Sequence, residues 1–324
     1  AYTLYRFECA LRSTAILGFV GITTLGYYLS SYFMQGDYSQ VWLILIIFYI
    51  VVATLRYWFN KFTFIPLIIA SFVYWFGSAT RSKRSVVGGI RYLFPRQVWL
   101  HRSTAVDVAL MFLNSALKAT LFLPVLMTSF TVSFYTVKAF RYLFGEDARA
   151  ILFWSDQAIV VTYTLVLILL TDLSRYWLHR LLHEVPLLWS FHRVHHSAEV
   201  MTPLTIYRSH PIEVLLSLLR DLLTIGLVTG LFFYIFGESV DAMMVMGVNV
   251  GRFVFNLMGS NLRHSHVWLS YGRRIEKILI SPAQHQVHHS NDPDHYSKNY
   301  GSQFAIWDWL FGSLYITSHK KEKL

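Results

Sequence analysis

Cysteine is almost missing from this chain: Cys9 is the only one in 324 residues. A single thiol excludes an internal disulfide, a thiolate zinc site and a protein-bound iron–sulfur cluster, each of which takes at least two cysteines. Charge is scarce as well. Asp, Glu, Lys and Arg make up 14% of the residues, against roughly 25% in a soluble domain. Hydrophobic residues make up 55% and the mean hydropathy is +0.43, so an ordinary polar surface cannot be assembled. Acidic residues are the scarcer sign, 18 against 28 basic, for a net charge of +10. The basic residues gather in short segments beside apolar runs, the pattern of loops facing anionic lipid, so the charge does not imply nucleic acid. Gly/Ser-rich linkers and clear repeats are lacking too, and residues 1–324 read as a single integral membrane domain.

What is present in abundance is apolar sequence. Runs near 13–33, 41–59, 107–133, 152–171, 212–236 and 239–258 reach the roughly 20 residues needed to span a bilayer. A seventh, 64–78, is shorter and reads as re-entrant or interfacial. The chain begins at Ala1, and its first apolar run lacks a cleavage-site pattern, so that run reads as an anchor. The expected fold is therefore all-α: a multi-pass transmembrane helical bundle. Arg81, Lys83, Arg84, Arg91, Arg96 and Arg102 mark a cytoplasmic loop, whereas 34–40 carries no Lys or Arg. Pairing the spans from there brings both histidine-rich segments, 179–210 and 264–295, out on the cytoplasmic side as a helical cap.

Those segments hold the chemistry. His179-Arg-Leu-Leu-His183, His192-Arg-Val-His195-His196 and His285-Gln-Val-His288-His289 account for eight of the 14 histidines. Residues at i, i+3 and i+4 of a helix share a face, so each cluster aims its imidazoles into a shared space. Eight imidazoles exceed the four or so ligands of a tetrahedral zinc and suit two metal ions side by side. Beyond the last span, His264 and His266 cannot share one helical face, and His264 is preferred as a ligand. His210, before Pro211, is a ligand, a group supporting one, or a helix-start residue. His101, His295 and His319 stand outside the set. Metal-bound imidazoles usually donate their second N–H to a carboxylate or carbonyl. Asp172, Glu199, Glu213 and Asp294 are the nearest acids. Asp172 is favoured, about two turns before His179, and Glu213 reads better as a helix-end charge. Zinc proteolysis by H-E-x-x-H is excluded, because Arg180 stands where the general base would be.

With these residues placed, the chain resembles the fatty acid hydroxylase/sterol desaturase superfamily of membrane di-iron enzymes. The resemblance runs through Asp172–His183, His192–Ser197, Arg208-Ser-His-Pro-Ile-Glu213 and Ser281–His289. It continues through Lys298-Asn-Tyr-Gly301 and Trp307-Asp-Trp-Leu-Phe-Gly312. It covers the catalytic region, 151–324, and leaves the spans and basic loop of 1–150 unmatched. It implies metal ligands at His179, His183, His192, His195, His196, His285, His288 and His289, with His264 as a ninth. It also implies two iron ions, molecular oxygen as co-substrate, and hydroxylation or desaturation of a membrane lipid, fatty acyl chain or sterol. Imidazole alone does not choose among iron, zinc and copper, and zinc can replace iron in a purified sample. The sequence shows no ferredoxin cysteines, dinucleotide-binding glycine pattern or haem domain, so a separate electron-donor protein is expected. The membrane is then a bacterial inner membrane or the endoplasmic reticulum. The alternative from another class is a histidine-rich membrane metal transporter or metal-binding protein, whose ligands belong nearer mid-membrane.

Sidedness can be tested directly. Cys9→Ala removes the one native thiol. Ser318→Cys, in the basic tail, should resist an impermeant thiol reagent in intact cells and label after lysis. Ser239→Cys, between the last two expected spans, should label from outside. The opposite pattern would invert the orientation.

Overall fold

A computed structural model describes residues 39–40, 64–76, 85–118, 123–145, 154–237 and 262–317. The expected spans 13–33, 41–59 and 239–258 lie outside the described residues. The chain divides into two compact units, Ala1–Phe62 and Thr63–Leu324, and every helix described below belongs to the second. Among the described residues the regular elements are helices, apart from one antiparallel bridge pairing Leu279 with Phe304.

The helices run in the order α1 (Phe64–Phe76), α2 (Val86–Leu93), α3 (Arg96–Trp99), α4 (Arg102–Leu117) and α5 (Leu123–Phe144). There follow α6 (Asp156–Glu184), α7 (Pro186–His196), α8 (Pro211–Phe236), α9 (Pro282–His288) and α10 (Ile306–Leu310). Two of them, α6 and α8, are long and apolar enough to cross a membrane. Only 28% and 22% of their most apolar windows are buried within the protein, which separates them from the core helices of a soluble fold. Their outer faces show why: Val161, Leu165 and Leu169 on α6, and Leu219, Leu223 and Leu227 on α8, are exposed at four-residue spacing. Their inner faces meet through Ile159, Tyr163 and Leu167 against Val228 and Phe232.

The expected span 107–133 lies partly outside the described residues. It falls across α4 and α5, with residues 119–122 outside the described part. The face of α4 that is buried is polar: Ser103, Thr104, Asp107 and Asn114. Asn114 donates to the carbonyls of Tyr207 and Ser209, and Asp107 pairs with Arg208 at 2.6 Å. This polar face is bound to the loop before α8. The described part of α1, 13 residues, is about 20 Å long.

Helix α5 lies against α8 closely enough to require glycine. A Cβ on Gly226 would sit 2.6 Å from the Val132 side chain, and one on Gly230 would sit 2.6 Å from Thr136 Cβ and 2.7 Å from the Ser133 carbonyl. Small residues four apart let two helix backbones meet in this way, and the Ser133 hydroxyl donates to the Gly226 carbonyl across the contact. Gly230→Val should therefore force the helices apart, at a cost of about 1–3 kcal/mol from overpacking. The expected result is a lower thermal transition in detergent than for the exposed control Leu227→Val; equal transitions would show that the contact is looser than described.

Candidate metal centre

Two prolines build the scaffold. Pro186 disfavours helical backbone at the preceding residue, and Val185 is extended, with φ −94° and ψ 116°. Helix α6 therefore ends at Glu184, and α7 starts with Pro186 in its first turn, where the missing N–H is harmless. The chain folds back so that His183 and His192 face each other, ring centroids 4.7 Å apart. The third cluster starts the same way. Pro282 opens α9, and a reciprocal capping box joins Ser281 and Gln284, fixing the one short helix that carries His285 and His288.

The nine clustered histidines come together as two groups. His179, His183, His192, His196 and His288 form one; His195, His264, His285 and His289 form the other; within each, the ligand atoms lie within 4.8 Å of one another. The two H-x-x-H-H segments contribute reciprocally. The i and i+4 residues His192 and His196 enter the first group and the i+3 residue His195 the second. In the third cluster, His285 and His289 enter the second group and His288 the first. The groups adjoin, with His196 and His289 stacked at 4.3 Å.

Backbone carbonyls turn the rings. His179 Nδ1 lies 2.8 Å from the Tyr300 carbonyl, His288 Nδ1 2.9 Å from that of Lys298, and His195 Nδ1 3.2 Å from that of Arg208. A carbonyl only accepts, so each Nδ1 carries the hydrogen and each Nε2 keeps its lone pair, the arrangement usual for metal-bound imidazole. Glu213 is a helix-end acid as read, but not an exposed one. It lies in the first turn of α8, is buried, and places Oε1 3.1 Å from Nδ1 of His192. The cap on that helix is His210, whose Nδ1 accepts from Ile212 N.

These residues fit a bound cation. Nε2 of His183, His192, His196, His288 and His289 is buried without a hydrogen-bond partner, a state costing about 1–3 kcal/mol per atom if nothing fills it. In the second group, His264 Nε2 lies 3.1 Å from His195 Nε2 and 2.8 Å from His285 Nε2. Burial pulls His192 and His195 down to about 4. It also holds His196, His285, His288 and His289 well below the usual histidine range, helped by their neighbours' positive charge. All six imidazoles are neutral near pH 7, the form that ligates metal.

The remaining sequence-selected residues lie elsewhere. His266 Nε2 is bonded to the Tyr92 carbonyl at 2.6 Å, and Asp294 is exposed beside Asp292. Asp172 supports the loop after the third cluster instead of a ring: it accepts from Gln303 N, Phe304 N and Trp307 Nε1. Sequence reasoning missed Asp107, which anchors Arg208, and Tyr300, whose ring packs on His183 at 5.2 Å. An acid at the start of an apolar run was the available signal for Asp107.

Residues 164–313 match the model of the fatty acid hydroxylase family. Over that region the chain is similar to members of the fatty acid hydroxylase/sterol desaturase superfamily. It is 30% identical over 149 residues to alkylglycerol monooxygenase of Danio rerio, covering 46% of this chain and 30% of that one. It is 27% identical to an ornithine lipid hydroxylase of Rhizobium tropici, over 50% of this chain and 45% of the relative. Delta(7)-sterol 5(6)-desaturase of Leptosphaeria maculans is also 27% identical, over 58% and 46%. The chain thus spans less than half the length of these relatives. No solved structure shows significant similarity.

The fatty acid hydroxylase region contains both histidine groups, and its acid response follows from their burial. In the metal-free protein, His192 and His195 titrate near 4 but near 6.5 when unfolded. Between those values the unfolded chain binds more protons, so stability falls with acidification by about 1.4 kcal/mol per pH unit for each such group. Thermal unfolding of chelator-stripped protein should move to lower temperature from pH 7 to pH 5. A transition unchanged across that window would show that the imidazoles are not held neutral.

Proposed function

We propose that the chain is an oxygen-dependent di-iron oxidoreductase that hydroxylates or desaturates a membrane lipid, fatty acyl chain or sterol. The observation carrying this reading is the pair of adjoining imidazole groups, five and four strong, at the end of an apolar helix. Bound iron would supply the oxygen-activating redox chemistry, which no amino-acid side chain provides. His179, His183, His192, His196 and His288 would hold one ion, and His195, His264, His285 and His289 the other. The carbonyls of Tyr300, Lys298 and Arg208 keep three of the rings turned inward, and the Glu213 carboxylate lies beside a fourth, His192. Burial keeps bulk water from the inward-facing nitrogens.

Helix length supports a site at the membrane boundary. Helix α6 has 29 residues, about 43 Å, so it outreaches the roughly 30 Å hydrocarbon layer by enough to carry His179 and His183 beyond it. The proposed architecture is a multi-pass bundle with these rings in a cytoplasmic cap, within a bacterial inner membrane or the endoplasmic reticulum. Residues 64–78 are re-entrant in this reading, and 1–324 act as one membrane domain. A lipid would reach the centre from the bilayer, and a separate protein would supply electrons on the cytoplasmic side. The relatives are named for oxidising lipids or sterols, and the transporter alternative finds no support among them.

Metal analysis of the purified chain should give two ions, iron or substituting zinc. His195→Ala and His289→Ala should each abolish lipid oxidation, followed by mass spectrometry of membrane lipids, while detergent-stable yield is retained. One ion per chain in a fully active preparation, or full activity in His195→Ala, would overturn the reading.

A further inference from the structure

A cavity of about 410 Å³ opens beside the imidazoles, and His183, His196, His288 and His289 form part of its wall. Three of these belong to the first group and one to the second, so an occupant touches both halves of the centre. The remaining wall is mixed: Trp189 and Tyr296 give it aromatic surface, and polar side chains complete it. Arg193, one turn before His196 on α7, is exposed, and Asn291 and Ser297 are exposed with it. Among the described residues no carboxylate lines the cavity. The Arg193 guanidinium makes no hydrogen bond or ion pair among the described residues, unlike Arg180, which is bonded to Glu184, Tyr176 and the Phe311 carbonyl, and unlike Arg208, which is bound to Asp107.

A guanidinium, an amide and a hydroxyl on one side of this space match the needs of a phosphate or carboxylate. The volume falls in the roughly 300–1,000 Å³ range of small-molecule sites, more than a free inorganic anion would fill. We propose that this cavity seats the anionic polar head of the substrate lipid, with Arg193 as its counter-charge. A carbon close to that head, rather than the far end of the chain, then lies against the metal centre. This inference rests on the reading of the protein as a lipid oxygenase and adds the class of lipid that it accepts.

Binding can be read without turnover. The detergent-purified, metal-loaded full chain would be titrated calorimetrically with a short-chain phosphatidic acid, with the matching uncharged diacylglycerol, and with inorganic phosphate. Phosphatidic acid should bind roughly tenfold or more tightly than either of the others, the contribution of one charge-assisted hydrogen bond. Arg193→Gln should erase that preference and Arg193→Lys should keep much of it, with metal content as in the wild type. Equal affinity for charged and uncharged lipid would overturn the proposal. So would phosphate binding as tightly as the lipid, which would indicate a free-anion site. A preference surviving in Arg193→Gln would also overturn it, leaving that side chain to another partner such as the electron donor. A missing preference sinks this inference and leaves lipid oxidation standing. Intact preference in a chain that oxidises no lipid removes the function instead.

Discussion

Nine imidazoles packed ring against ring can share one buried space only while nearly all of them are uncharged. Two adjacent imidazolium ions a few ångströms apart in a low-dielectric interior would repel by several kcal/mol, and here each ring has several neighbours. Burial meets the constraint by holding the rings neutral, which leaves lone pairs pointing at one another. His264, with Nε2 close to those of both His195 and His285, shows the consequence: neutral rings turned inward need something positive between them. Neutrality and the capacity for metal are one property, and the surrounding structure serves to maintain it.

That service is performed largely by buried acids outside the site. Asp172 gathers three N–H groups from the 303–307 loop, and Asp308 accepts from Tyr300 N, Gly301 N and the Ser313 hydroxyl. Between them they fix the peptide whose carbonyl turns His179. Glu276, fully buried, accepts from Ser270, Tyr271, Ser281 and Thr317, and thereby sets the start of α9. Asp107 does the same for the Arg208 carbonyl that turns His195. The acids hold the loops, the loops present carbonyls, and the carbonyls aim the rings. Removing one such acid would disturb a ligand it does not touch.

The histidines were legible because helical spacing is a local property. His192, His195 and His196 announce a shared face in five residues, and so do His285, His288 and His289. The same spacing did not show that each segment splits between two groups, because that split depends on how α7 and α9 lie against each other. Spans α6 and α8 were legible from hydropathy, although α6 runs on past its apolar part into the first cluster. In the run at 107–133 hydropathy averages over Asp107 and Asn114, so it gave no sign of their partners some 95–100 residues away. Glu213 was half legible for a related reason: its position suggested a helix-end charge, and only the fold brings His192 to it.

Helix α6 joins the two halves of the molecule's chemistry. Its first part presents Val161, Leu165 and Leu169 outward, and its last turns carry His179 and His183, with no flexible joint between them. The distance between the apolar face and the imidazoles is therefore set by one continuous helix, not by a linker. Helix α8 sets a second limit. It packs on α6 through Val228 and Phe232, and its first turn carries Glu213 against His192. A shift of either helix along its axis would move a ring or its partner as well as the apolar seam. The apolar seam and the site geometry are consequently not separable in this fold.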